Sequence, residues 1–263
     1  MARGALGVVL LLAGLLGAQI EASPAQQALV RRAAENEAAY VRARGEYTYV
    51  QDFRFYAFDR RHQPGGYYHV TTDITFTPAG GRLERILHGP VNTLSLVRLT
   101  NEDFVDLRRV VPFLLTPQVL PRYLIRFDRV ETIYLFNEQK RPIGRLETWV
   151  YRVSPRQIFP GQRYFHGEVW IDPVSAGIVQ ISGRPEPQIR KWVRGQEEEN
   201  LFGRFTTYFQ QIDGRFWFPI LTEGDDWLDF TAGPVEMKEF VRFSRYRHFG
   251  ASTSIKLLPA PRR

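Results

Sequence analysis

Not one cysteine occurs in the 263 residues. The absence excludes a disulfide framework, a thiolate zinc site and acylation on an N-terminal cysteine, so the fold must rest on its own core. Beyond residue 25 no apolar run approaches the roughly 18 residues that a membrane-spanning helix requires. The histidines His62, His69, His88, His166 and His248 form no close pair at metal-ligand spacing. There is no G-x-S-x-G, no phosphate-cradling glycine loop and no dinucleotide fingerprint. No metal and no cofactor are expected. A concentrated basic face is missing too. The net charge of +7 is spread over pairs such as Arg31-Arg32, Arg60-Arg61, Arg108-Arg109 and Arg190-Lys191. That scatter argues against a nucleic-acid partner and fits at most a peripheral contact with an anionic membrane surface.

What is present begins with an export signal. Arg3 precedes an apolar stretch from Leu6 to Leu16, followed by the small residues Gly17, Ala18 and Ala22. This layout is that of a secretory signal peptide, with cleavage expected after Ala18 or Ala22. We expect a signal peptide over 1–22, a single domain over 23–258 and a disordered tail over 259–263, in an exported protein of the periplasm or cell envelope of a bacterium.

Aromatic residues make up 14% of the chain, a bias that favours pleated, half-buried surfaces. Ser23-Pro24-Ala25-Gln26 reads as a capping box with proline at the first helical position, opening an amphipathic helix that Gly45 ends. From Glu46 the period changes to two, most clearly in Tyr68, Val70, Thr72, Ile74 and Phe76. Thr100-Asn101-Glu102-Asp103 suggests a second, short helix, which Pro112, Pro117 and Pro121 then break. This helical insertion, about 100–121, reads as a lid over a cavity or as an ordinary connection. Further strands are expected at 123–136, 145–153, 163–171, 178–182, 203–212, 216–223 and 235–249. Asp213-Gly214 between two of them is a strong hairpin signal. The stretch 183–200 reads as a long polar connection. With no helical crossovers between strands, the fold class is mainly β with a few helices: an antiparallel sheet that curls strongly or closes, preceded by an N-terminal helix.

Three sets of residues carry candidate chemistry. Asp225, Asp226 and Asp229, expected in a loop, are the acidic cluster from which a hydrolase would draw paired carboxylates. Glu168 with Asp172, across a strand end, is a second pair. Against both stands an apolar set, Tyr68, Val70, Ile74, Phe76, Ile125, Phe127, Val169, Ile171, Phe205 and Phe209, expected on the inner face of the curled sheet. There they line an acyl-chain cavity or simply form the core.

The hairpin Gly167-Glu168-Val169-Trp170-Ile171-Asp172, turn, Gly177-Ile178-Val179-Gln180-Ile181, with the closing 241–250 strand, resembles the LolA/LolB-like lipoprotein-carrier superfamily. The resemblance implies an unclosed barrel with helices over its mouth and a cavity receiving lipid chains. It implies no catalysis and no cofactor. On that resemblance Phe104, Leu107, Phe113, Leu114, Leu115 and Leu120 are the lid, and the partner is a lipid or an acylated protein. The protein is expected to be a non-enzymatic carrier or sensor. The alternatives are an envelope hydrolase and an interaction module with a fully packed barrel.

Overall fold

The computed structural model describes residues 23–77, 81–98, 113–159, 162, 164–187, 190–193, 196–199, 203–230 and 233–249. The expected signal peptide, the tail, and the 99–112 part of the expected lid lie outside them. The first element is α1 (Pro24–Ala43), closed at its start by the capping box: Gln26 N donates to Ser23 Oγ, and Ser23 N donates to Gln26 Oε1. Its buried stripe is Leu29, Ala33, Ala34, Glu37 and Tyr40. Among the described residues it is the single α-helix, and no helix is long and apolar enough to cross a membrane.

Twelve strands follow: β1 (Tyr47–Phe58), β2 (Pro64–Phe76), β3 (Arg82–Asn92), β4 (Tyr123–Phe136), β5 (Pro142–Pro155), β6 (Tyr164–Ile171), β7 (Ile178–Glu186), β8 (Arg190–Val193), β9 (Gln196–Glu199), β10 (Phe205–Ile212), β11 (Phe216–Phe230) and β12 (Gly233–His248). Ten of them form one antiparallel sheet in the order β3-β2-β1-β12-β11-β10-β7-β6-β5-β4, and β8 pairs with β9. The edges β3 and β4 do not pair, so the sheet is unclosed.

Directly opposed residues in antiparallel strands point to the same face. One row therefore runs across nine strands: Phe127, Tyr151, Val169, Ile181, Thr207, Thr222, Val241, Phe53 and Val70. α1 packs on this face, which we call inner. The outer face is covered differently. β4 and β5 extend beyond their pairing with β6, and their distal half folds back over the sheet. Ile133, Leu135 and Leu146 pack against Val150, Trp170 and Val179. The hairpin tip is fixed by Phe136 edge-on to Tyr208 (5.6 Å) and by Lys140 Nζ bonded to Glu223 (2.6 Å).

Three expectations need correction. No lid helix is present in the described part of 100–121: residues 113–119 are coil and turn, followed by a 3-10 turn at Leu120–Arg122. Pro117 and Pro121 lack the N–H groups that a helix there would need. The stretch 183–200 is not a plain connection, since it holds the end of β7 and the β8–β9 hairpin. Asp225, Asp226 and Asp229 lie within β11, not in a loop.

Candidate functional site

The ten predicted ligand-lining residues all belong to the inner face, divided between two apolar clusters. Val169, Ile171, Phe205 and Phe209 are buried in the first, with Ile125 and Phe127 half-buried against it. α1 covers this cluster through Leu29, Ala33 and Ala34. Tyr68 and Ile74 are buried in the second cluster with Phe53, Phe55, Val241 and Phe243, while Val70 and Phe76 are half-buried. Leu94 and Val97, from the chain that leaves β3, lie over the second cluster.

Of the expected lid residues, Phe104 and Leu107 lie outside the described residues. Phe113 stacks on Phe165 at 4.6 Å and stands edge-on to Tyr123 at 5.2 Å. Leu115 is buried in the first cluster, and Leu120 packs against it. Leu114 packs instead with Tyr40, Tyr47 and Phe218. The described backbone hydrogen bonds of 113–119 are local turns: Thr116 N to Leu114 O, Val119 N and Leu120 N to Thr116 O, and Arg122 N to Val119 O. Among the described residues, side chains fasten this coil to the sheet.

Between the clusters runs a polar seam. Thr207 and Thr222 share a buried hydroxyl–hydroxyl bond of 2.9 Å. Two residues further along each strand, the row reads Phe205, Gly224, Glu239, Phe55 and Tyr68. Glu239 has no hydrogen-bond or ion-pair partner among the described residues. Desolvation by the surrounding protein pushes its pKa up to about 7. On α1, Glu37 is 7% exposed, also without such a partner, and burial pushes its pKa up to about 8. Neither carboxylate was singled out from the sequence, although the signal was there. Val235, Met237, Glu239, Val241 and Phe243 occupy one alternating register, and Glu37 interrupts the stripe Leu29, Ala33, Tyr40.

The other candidates are differently placed. Asp225 opposes Lys238 and Asp226 opposes Met237, so these neighbours face opposite sides of the sheet. Lys238 Nζ pairs with Asp225 at 3.3 Å, and Asp226 accepts from the backbone N–H groups of Arg204 and Trp227. Asp229 is exposed opposite Pro234. No two of the three converge on a common point. Glu168 is held on the outer face by Arg129, which also pairs with Asp128 and Glu131. Asp172 is buried and accepts from Val174 N and Ser175 N, closing the β6–β7 turn. α1 docks on that turn, with Arg32 Nη2 donating to Val174 O and Asn36 Nδ2 to Ser175 O. The hairpin that carries the family resemblance is thus the helix's platform. Among the described residues no group of three or more histidine or acidic side chains stands where it can hold a metal ion.

No family model and no curated protein matches the chain. Among solved structures, a domain described as an outer membrane lipoprotein-sorting protein from Vibrio parahaemolyticus is similar at 12% identity and a TM-score of 0.35, over 88% of this chain and 95% of that one. Two structures of MucB with MucA, one of them described as from Pseudomonas aeruginosa, are similar at 10% identity and a TM-score of 0.23, over 83% of this chain and 99% of theirs. These are distant likenesses of sheet architecture, and they leave function to the residues themselves.

Proposed function

We propose that the protein is an exported, non-enzymatic binding protein of the bacterial cell envelope. It shelters the apolar chain of a lipid or of an acylated protein on the inner face of its sheet. The observation that supports this reading is the manner in which that face is covered. The 113–119 coil sits on the first cluster through Phe113, Leu115 and Val119, without a described backbone bond to any strand. A cover held by side chains alone opens at low cost compared with a paired strand. Lifting it exposes half-buried Ile125 and Phe127 beside a contiguous apolar surface. An alkyl chain entering there gains about 0.8 kcal/mol per buried CH₂.

The test is a titration with n-alkyl maltosides of eight to fourteen carbons, each below its critical micelle concentration. Affinity should rise by about fourfold per added CH₂ until the groove is filled. Affinity independent of chain length would overturn the reading. The alternative, an interaction module with a packed inner face, draws on the complete burial of Val169 and Ile171. It predicts no uptake of any alkyl chain.

A further inference from the structure

We infer that Glu239 is the head-group determinant of the inner face, selecting an aliphatic amphiphile whose head carries a positively charged nitrogen. The inference rests on the binding role proposed above. Glu239 is the one charged residue in the inner-facing register Val235, Met237, Glu239, Val241, Phe243. Across the strands it faces Gly224 on one side and Phe55 on the other. Gly224 brings no side chain between the strands there, so the Glu239 side chain lies over it, with Oε2 3.6 Å from where a Cβ would stand, and Glu239 keeps partial solvent access. Glu239 thus stands between the apolar cluster that contains Phe205 and the one that contains Phe55.

The charged side chains around Glu239 are committed elsewhere. Lys238 opposes Asp225 and bonds Glu236 (3.1 Å) and Asp225 (3.3 Å). Arg242, three positions on, alternates to the outer face, and so does Arg54, whose Nε bonds Asp52 at 2.7 Å. Arg82 reaches Gln51 Oε1 at 2.6 Å, four residues along β1 from Phe55. Asp226, a diagonal neighbour, accepts its two bonds from backbone N–H groups. A carboxylate flanked by apolar groups and lacking a protein partner favours uptake of a proton or a cation. Its raised pKa agrees with that placement. A ligand that brings its own positive nitrogen supplies the missing charge while its chain lies along the clusters. The overall charge of +7 would by itself favour anionic amphiphiles, so cation preference is a discriminating outcome.

The experiment is displacement of Nile red from the purified protein by three probes sharing a dodecyl chain: dodecylammonium, dodecyl sulfate and dodecyl maltoside. Wild type should release the dye at about tenfold lower dodecylammonium than dodecyl sulfate, as one charge-assisted hydrogen bond allows. Glu239→Gln, of equal shape, should bring that ratio below about threefold while Nile red binding and the circular dichroism spectrum persist. Glu223→Gln, on the outer face, should leave the ratio unchanged. Equal potency of the two charged heads on wild type overturns the inference whether or not the variant folds. Retained cation preference in a folded Glu239→Gln protein overturns it as well. If dodecyl maltoside also fails to displace the dye, the chain-binding role itself falls.

Discussion

Replacing Glu37 by glutamine should change how stability depends on pH, and burial fixes both sign and size. Glu37 lies on the buried stripe of α1 without a hydrogen-bond or ion-pair partner among the described residues, its pKa raised from 4.5 to about 8 by desolvation. Between those two values the unfolded chain has released a proton that the native protein keeps. Stability therefore falls as pH rises through that window and levels off above about 8. The full gap corresponds to about 5 kcal/mol, a ceiling because α1 can lift to wet the carboxylate. Glutamine fills the same space and does not ionise. Urea unfolding at pH 5 and pH 9, followed by tryptophan fluorescence, should find the two proteins within about 1 kcal/mol at the lower pH. At the higher pH the variant should be more stable by about 2–4 kcal/mol. Some slope remains in the variant, because Glu239 is raised in the same direction. Parallel pH profiles for the two proteins would refute the burial of a partnerless carboxylate under α1.

Asp172→Ala should cost about 2–3 kcal/mol, since it strands the N–H groups of Val174 and Ser175 in the turn that carries α1; a loss under about 0.5 kcal/mol in chemical denaturation would contradict that role. Phe113→Ala should cost about 3 kcal/mol by removing a ring stacked on Phe165, and should also increase Nile red binding by uncovering the first cluster. Unchanged stability and unchanged dye binding in this variant would mean that the coil does not cover the inner face.

The parts of the fold that are locally encoded were legible in the chain. The Ser23/Gln26 box, the alternation over Tyr68 to Phe76 and the Asp213-Gly214 turn, with φ of 54° and 63°, each follow from a few adjacent residues. β3 is not legible in the sequence, because an edge strand exposed along nearly its whole length carries no alternation to mark it. The far half of β11 reads as a loop in the sequence because its acidic residues mask a strand that pairs with β12 through Phe230. The outward fold of the β4–β5 hairpin and the opposition of Gly224 to Glu239 are matters of which strands become neighbours. β7 pairs with β10, and β1 with β12, across long stretches of sequence that carry no local signal of it. The inner-facing set was readable from parity. Its division into two clusters with a polar seam required the register.

The most direct test of the chain-binding role is native mass spectrometry of the protein purified from its host, with lipid extraction of the same sample. Binding of an apolar chain predicts an adduct that organic solvent removes, and an extract containing an acyl-bearing molecule. A bare protein mass from freshly purified protein, together with no uptake across the alkyl maltoside series, would contradict it.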